Sequence, residues 1–147
     1  MSSINTNKII HDTVIFVRDF LRNNLTDPKS ATRPADAKFV LTNYPSRKVY
    51  YPHVIVYQLS GTGERLGGNA FIFKYPIRIA IDVLSLSVKE CDDISDEILH
   101  KIRSNLDKFI NFGLHSGFFP VFRYNPMPDK ENVHRKSLEL EFTVFVG

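Results

Sequence analysis

The sequence has little of what cross-links a small secreted protein or anchors a membrane protein. Its single cysteine, Cys91, excludes a disulfide within the chain. No apolar run reaches the roughly 18 residues that a membrane-spanning helix needs, and the polar residues 1–8 do not resemble a signal peptide. Lysine and arginine are scattered and nearly balanced by acidic residues, with a net charge of +3, so no basic arm for nucleic acid is indicated. These features favour a cytosolic or virion protein.

Sequence patterns that carry catalytic or metal chemistry are also missing. The five histidines form no H-E-x-x-H pair and have no zinc-ligand spacing with the cysteine. Cys91 is flanked by Glu90 and Asp92, whose charges raise a thiol pKa and disfavour a catalytic thiolate. The glycine-rich residues 61–68 lack both the lysine–serine/threonine pair and the following helix of a phosphate-binding loop. We therefore expect a protein that is not an enzyme, with no catalytic residues, no metal and no cofactor.

The composition is that of a folded soluble chain. Of the 147 residues, 43% are hydrophobic and 24% are charged, which excludes intrinsic disorder as the main description. A domain of this length buries roughly two-thirds of its unfolded surface, enough for a core without cross-links. We expect a single domain over residues 1–147.

Helical periodicity marks two segments. In residues 7–24 the apolar positions recur at helical spacing, and Thr6 or Asn7 is placed to cap the first turn. The predicted stripe comprises Ile10, Val14, Val17 and Leu21, widened by Ile9, Thr13, Phe16 and Phe20. Residues 89–112 predict a second helix, with Ser87 and Glu90 at capping-box spacing and Gly113 as its stop. Its predicted stripe comprises Ile94, Ile98, Ile102, Leu106, Phe109 and Ile110.

The rest of the chain alternates with a period of two. The predicted strands cover residues 39–44, 53–60, 69–74, 75–86, 118–124 and 136–146. Pro76 is expected at a strand start or a bulge because it cannot donate to a ladder. Residues 26–38 predict a loop, and residues 60–68 a flexible glycine-rich hairpin loop with Arg65 at its tip. The order of elements predicts an α+β fold, a mostly antiparallel sheet with two amphipathic helices packed on one face.

Aromatic residues gather around the early strands. Tyr44, Tyr50, Tyr51 and Tyr57 lie near Arg47 and Lys48 in the sequence. Such a group can stack on single-stranded nucleic acid, and it also suits a protein interface, where tyrosine is enriched. Core packing is a third use of the same residues, and the sequence leaves these alternatives open.

Several features then follow one another in a recognisable order. After the first helix and a proline-bearing loop comes a Y-P-x-V-x-V strand, Tyr51-Pro52-His53-Val54-Ile55-Val56. A glycine-containing hairpin leads to an I-x-I-x-V strand, Ile79-Ala80-Ile81-Asp82-Val83, and then to a serine, an acidic-started helix and a final alternating strand. Over residues 9–146 this arrangement resembles the tail terminator and tail-completion (minor tail) proteins of tailed bacteriophages and archaeal viruses.

The resemblance implies a virion protein that works by contact and not by catalysis. It would assemble in the host cytoplasm as a homo-hexameric ring on the head-proximal end of the tail tube, end tube growth and offer a surface to head–tail connector proteins. No membrane and no specific nucleic acid would be partners. The implied contact loop comprises Gly61, Gly63, Glu64, Arg65, Gly67 and Gly68; further contact candidates are Arg47, Lys48 and Arg123, and residues 26–38 are a second segment that would order on assembly.

Two other functions remain open at this point. A head–tail connector or stopper of the neck shares the size and the assembly style of a terminator. A small nucleic-acid-binding module would use the basic balance and the tyrosine group.

Overall fold

The computed structural model describes residues 3–43, 49–66, 72–127 and 132–147. The first half of the chain forms α1 (Ile9–Asn24), β1 (Val40–Leu41), β2 (His53–Gly61), β3 (Glu64–Arg65) and β4 (Phe73–Ser85). The second half forms α2 (Val88–Ser104), α3 (Leu106–Phe112), β5 (His115–Tyr124) and β6 (His134–Val146). No helix of the described residues is long and apolar enough to cross a membrane.

The strands form one six-stranded sheet in the order β1-β2-β4-β6-β5, with β3 pairing with β4 beyond the end of β2. The predicted α+β class and the mostly antiparallel pairing are confirmed. The exception is β1, which pairs in parallel with β2. This strand has two residues of the predicted 39–44, and residue 44 lies outside the described residues. In the centre, β4 and β6 pair over their full length of 13 residues each.

The helices cover one face of the sheet, as predicted. Val17 and Leu21 of α1, Ile98 of α2 and Phe109 of α3 are fully buried in one core cluster. Alternate residues of the three long strands complete this cluster: Val54, Val56, Ile77, Ile79, Ile81, Val83, Leu138, Leu140, Phe142 and Val144. This period of two is the one read from the sequence, because successive side chains of a strand point to opposite faces.

The single helix predicted for residues 89–112 is wrong, since the chain breaks there into α2 and α3. Asn105 leaves the helical region with φ −128° and ψ 26°, and its side-chain amide donates to the carbonyl of Lys101 at 2.7 Å. Asparagine competes in this way for backbone hydrogen bonds. The break lets α3 turn toward α1, where Phe112 stacks on Phe16 with ring centroids 4.1 Å apart. The described part of the chain therefore has three helices and not two.

The predicted start of α2 and the predicted stop after α3 are confirmed. The hydroxyl of Ser87 accepts from the amide of Glu90 at 3.4 Å. The carboxylate of Glu90 does not return to the amide of Ser87. It accepts instead from the hydroxyl of Ser85 at 2.7 Å, and Ser85 in turn accepts from the Ser87 amide at 3.1 Å. Gly113 ends α3 with a φ of 116°, a conformation that favours glycine.

The N-cap predicted for α1 is wrong. Lys8, and not Thr6 or Asn7, occupies the N-cap position, and its side chain makes no cap hydrogen bond. The preceding turn is held by Asp12, whose carboxylate accepts from the amide of Asn5 at 2.9 Å. A carboxylate in the first turn interacts favourably with the positive end of the helix dipole. This interaction takes the place of the missing N-cap hydrogen bond.

Two residues assigned to apolar stripes lie at the surface. Ile10 is 57% exposed and Ile110 is 48% exposed. The buried side of α1 is centred on Thr13, Val17 and Leu21, so Ile10 lies beside the contact with the sheet. Periodicity alone could not fix this rotation, because the apolar residues of α1 extend over more than one face.

The two strands predicted for residues 69–74 and 75–86 meet in one continuous strand, β4 (Phe73–Ser85). Residues 69–71 of the first prediction lie outside the described residues. Pro76 stands inside this strand and not at its start. Its carbonyl accepts from the amide of Thr62 at 3.2 Å. The N–H and C=O of one residue in an antiparallel strand point to the same neighbour, so the missing donor faces the hairpin side and the ladder to β6 is intact.

The opposite face of the sheet is half covered by the chain itself. Ile55, Leu84 and Val133 form a second buried cluster, against which Tyr51 and Met127 pack. In the same half Asp82 is 2% exposed, and its carboxylate accepts a hydrogen bond from the hydroxyl of Tyr57 in β2 at 3.1 Å. The sequence predicts a partly accessible face, and the structure shows exposed side chains on it at Phe118 and Phe145, whereas Glu139 between the two strands is buried.

Residues 26–38 form turns that one arginine ties to the sheet. The guanidinium of Arg33, 6% exposed, pairs with Asp27 at 2.6 Å and donates to the carbonyls of Tyr50 at 2.9 Å and Pro52 at 2.6 Å. It also lies 5.3 Å from the centroid of the Phe39 ring. The loop is thus held within the chain, whereas the sequence suggested a segment that orders on assembly.

Candidate assembly surfaces

Two residues of the predicted contact loop form a short strand. Glu64 and Arg65 form β3, which pairs with Lys74 and Phe73 of β4. The guanidinium of Arg65 lies 5.6 Å from the centroid of the Phe73 ring, within cation–π range. The ladder continues to Leu66, so the predicted position of Arg65 at the tip is wrong. Of the six loop residues, Gly67 and Gly68 lie outside the described residues.

The glycines of this hairpin have different roles. A Cβ at Gly63 would lie 2.9 Å from Cε1 of Tyr75, closer than real Cβ atoms approach, so the backbone packs directly on that ring. A Cβ at Gly61 would make only ordinary contacts, the nearest with the side-chain amide nitrogen of Gln58 at 3.6 Å. Gly63 therefore sets how close the hairpin lies to Tyr75, and Gly61 does not.

An open groove lies between the start of α1 and this hairpin. It has a volume of about 910 Å³, and most of the surface that its lining exposes is apolar, although polar residues such as Asn7, Lys8 and Gln58 also line it. Its floor is formed by Tyr75 and Ile77 of β4 and by Val14 of α1, and Ile10 stands exposed on its rim. Gln58, Gly61, Thr62 and Gly63 close the side toward β2. We call this feature the α1–hairpin groove.

Arg123 lies far from the hairpin, in β5 at the other edge of the sheet. It is 58% exposed at the side chain and pairs with Glu139 at 3.2 Å. Glu139 also pairs with Arg78 at 3.4 Å, and Arg78 pairs with Glu141 at 3.1 Å. The structure thus places Arg123 in a charge chain across three strands and does not join it to the hairpin. Arg47 and Lys48 lie outside the described residues.

Four exposed aromatic rings near this second edge, two on each face of the sheet, were not predicted from the sequence. Phe122 is 61% exposed, Phe118 and Tyr124 are 50% exposed, and Phe145 of β6 is 47% exposed. We call these four residues the aromatic edge. The strand 118–124 was predicted as aromatic, but alternation predicts that one side of a strand is buried. Because β5 is an outer strand that α2 and α3 cover incompletely, both of its sides are partly bare.

Cys91 is engaged in the structure of the core. The thiol of Cys91 donates to the carbonyl of Val83, and burial, with the charge of Asp92 added, raises its pKa to about 11. The direction follows the sequence-based expectation, but burial is the larger cause. Among the described residues, no group of three or more His, Cys, Asp or Glu is arranged to hold a metal ion.

The tyrosine group of the early strands is used inside the protein. Tyr51 packs against the second cluster and stacks on His53 with ring centroids 5.2 Å apart. Tyr57 packs against the same cluster and donates to Asp82. Tyr44 lies outside the described residues. Of the three predicted uses, core packing accounts for Tyr51 and Tyr57.

Comparison with known proteins finds a likeness in structure. No family model matches the sequence, and no curated protein matches it. A chain in the solved structure "Virion of native gene transfer agent (GTA) particle" superimposes with a TM-score of 0.51. The match covers 80% of this chain and 90% of that chain, at 10% sequence identity. This chain therefore shares the fold of a virion component.

Proposed function

We propose that the protein is a structural component of a phage-like virion that acts by contact and not by catalysis. The observation that carries this proposal is the fold shared with a chain of the gene transfer agent virion over 90% of that chain's length. The resemblance of residues 9–146 to tail terminators points to the same class of particle. Localisation to the virion, after assembly in the host cytoplasm, follows from the same proposal.

Within the virion we assign the chain to the head-proximal end of the tail tube. Six copies would close a ring there, stop tube growth and present a joining surface to the head–tail connector proteins. Closure needs two different patches on each copy, because a head-to-tail contact joins unlike surfaces. The α1–hairpin groove and the pair Phe122 and Tyr124 of the aromatic edge supply two such patches at opposite edges of the sheet. The hairpin residues Glu64 and Arg65, both exposed, are the candidate contacts with the tube.

Disruption of the gene in the virus that encodes it tests this assignment. We expect unattached heads and tails of uncontrolled length in electron micrographs, because nothing would end tube growth. Complementation with Arg65→Glu should restore fewer joined particles than complementation with Lys89→Glu, a matched charge reversal on the exposed start of α2. Normal virions from the disrupted virus would contradict the assignment.

A neck protein of the connector or stopper type is the second candidate. The chain that shares this fold belongs to a structure of a whole virion particle, so the likeness supports either location. The two differ in what they bind: a terminator should co-purify with tail tubes, and a stopper with filled heads.

A nucleic-acid-binding module has less support, because Tyr51 and Tyr57 are occupied in the second cluster. Binding to single-stranded DNA that weakens steeply with added salt would favour this alternative over both virion roles.

A further inference from the structure

The hairpin formed by β2, β3 and β4 has an open outer edge. The short strand β1 pairs with β2 at Val54 and Ile55 and reaches no further along it. Beyond that point, within the described residues, no strand pairs with β2 or β3 on the side away from β4. The residues from Gly61 to Arg65 are all exposed. We call this stretch the hairpin edge, and it is accessible to another chain.

Backbone groups of alternate residues point outward from the hairpin edge. The amide of Thr62 donates to the carbonyl of Pro76 at 3.2 Å, and the amide of Leu66 donates to the carbonyl of Ile72 at 3.0 Å. In an antiparallel pair the N–H and C=O of one residue face the same neighbour, and those of the next residue face the other way. The outward-facing groups therefore belong to Gly61, Gly63 and Arg65.

Such a row of unpaired N–H and C=O groups is a template for another strand. The two glycines leave the hairpin edge without side chains where it adjoins Tyr75. The ring of Tyr75 lies so close to Gly63 that a Cβ there would be 2.9 Å from its Cε1 atom. A side chain of an added strand would therefore meet this ring directly. The partner that fits is an extended segment with an apolar residue at this point.

Arg65 adds a charge to this requirement. Its guanidinium lies 5.6 Å from the centroid of the Phe73 ring, and none of the ion pairs among the described residues includes it. Gly63 and Arg65 are two residues apart, so their side-chain positions share one face of the strand. An added strand places its own residues at the same interval. The segment should therefore carry an apolar and an acidic residue two positions apart, the acidic one beside Arg65.

The described residues of a second copy offer no free strand of this kind. Its outer strand β5 shifts register with β6 on both sides of Phe118, and Pro120 has no N–H to donate. Bulges and proline protect an edge strand against extension by another strand. At the other edge β1 has two residues, and residues 26–38 are held by the hydrogen bonds of Arg33. A different protein is therefore the better source of the segment.

We propose that the hairpin edge of each copy binds an extended segment of the tail tube protein by strand addition. Main-chain hydrogen bonds to Gly61, Gly63 and Arg65 supply the contact, and the apolar and acidic side chains of the segment supply its specificity. The inference rests on the proposed role at the tail tube, and it adds how the tube is held. The side of the groove formed by Ile10 and Val14 of α1 is left for the ring contact.

Hydrogen exchange on the full-length chain, free and bound to purified tail tubes of the virus that encodes it, tests the added strand. Exchange is quenched, the chain is released from the tubes, and protection is read residue by residue by NMR. In the free chain the amides of Thr62 and Leu66 should be protected, because they are bonded to β4. Tube binding should slow the exchange of the amides of Gly61, Gly63 and Arg65 by roughly tenfold or more, because they gain partners.

Two variants of one residue ask whether the outward N–H is needed. Gly61→Pro removes this donor and leaves the hydrogen bonds to β4 in place. Gly61→Ala keeps the donor and has room for its Cβ, since the nearest contact is 3.6 Å away. In co-sedimentation with tail tubes, Gly61→Pro should bind about tenfold more weakly, the effect of one main-chain hydrogen bond whose partner is left unsatisfied. Gly61→Ala should bind as the unmodified chain does, and circular dichroism checks that both variants fold.

The outcomes separate the added strand from the role at the tube. Tube binding without protection of the three outward amides would overturn strand addition and leave the tube contact intact, and so would equal binding by the two folded variants. If Gly61→Pro does not fold, the exchange pattern of the unmodified chain decides. A chain that does not bind tubes at all would overturn the inference too, while the gene-disruption phenotype judges the virion role separately.

Discussion

Replacing Arg33 by methionine should destabilise the protein more than removing any of its surface charges. Arg33 makes four hydrogen bonds: two to the carboxylate of Asp27, at 2.6 and 2.9 Å, and one each to the carbonyls of Tyr50 and Pro52. Methionine keeps an apolar side chain of similar length and removes all four hydrogen bonds, together with the contact of the guanidinium with the Phe39 ring. The change therefore removes the polar clamp while it keeps most of the bulk of the side chain.

The expected loss follows from how buried the partners are. The side chains of Arg33 and Asp27 are 6% and 17% exposed. Removing one partner of a buried ion pair costs about 3–5 kcal/mol, because the other charge is left without compensation. Since Asp27 keeps some solvent contact, we expect Arg33→Met to cost about 3 kcal/mol. Asp27→Asn should cost less, about 1–2 kcal/mol, because the two bonds from Arg33 to backbone carbonyls remain.

Acid should weaken the same clamp. Burial by itself raises the pKa of Asp27, but the hydrogen bonds from Arg33 and from the amide of Lys29, together with the charge of Arg33, outweigh it and lower the pKa. A carboxyl whose pKa is lower in the folded state stabilises the fold above its ordinary pKa of 3.8. This contribution is lost as the pH falls below that value toward the lowered pKa, and Asp27→Asn should remove it.

Urea unfolding at neutral pH measures the loss, with Asp19→Asn as the matched control. Asp19 pairs with Arg18 at the surface, where the two side chains are 51% and 23% exposed, so this control should change stability by at most about 1 kcal/mol. Amide exchange should rise in residues 26–38 of Arg33→Met. If Arg33→Met lost no more free energy of unfolding than the control, and if the amides of the loop stayed protected from exchange, this arginine would not be what holds the loop.

Three further results should follow. Gly117→Ala should cost about 1–3 kcal/mol in thermal melts, because its Cβ would overlap the buried ring of Phe142; an unchanged melting temperature would argue against that packing. Ser87→Ala should cost about 1 kcal/mol in urea unfolding through the lost hydrogen bond to Glu90, and a neutral effect would show that the cap is dispensable. Cys91, which burial above all gives a pKa of about 11, should react with a thiol reagent at neutral pH on unfolding, and rapid labelling of the native chain would contradict its burial.

The sequence predicted those elements whose signals are local. Alternation located β2, β4 and β6, because strands with one buried face repeat every two residues. Ser87 and Gly113 marked the start of α2 and the end of α3 through capping chemistry that depends on a few neighbouring atoms. The α+β class followed from the order of these elements.

Details that depend on distant parts of the chain could not be predicted. The break at Asn105 is favoured by the aromatic contact of α3 with α1, which periodicity does not encode. Pro76 is tolerated inside β4 because of where β2 ends. Phe122 is exposed because β5 is an outer strand, and Ile10 because α1 is rotated toward an open groove. The candidate surfaces were missed for this reason: exposure at a sheet edge is a property of the assembled fold.

Native mass spectrometry of the purified chain, over a concentration and magnesium series, tests the proposed ring directly, because it counts the copies in each assembly. We expect one discrete closed species of six copies, because each copy carries both halves of a contact that repeats around the ring. A chain that stays monomeric throughout the series, and also when tail tubes are added as a template, would contradict the proposal.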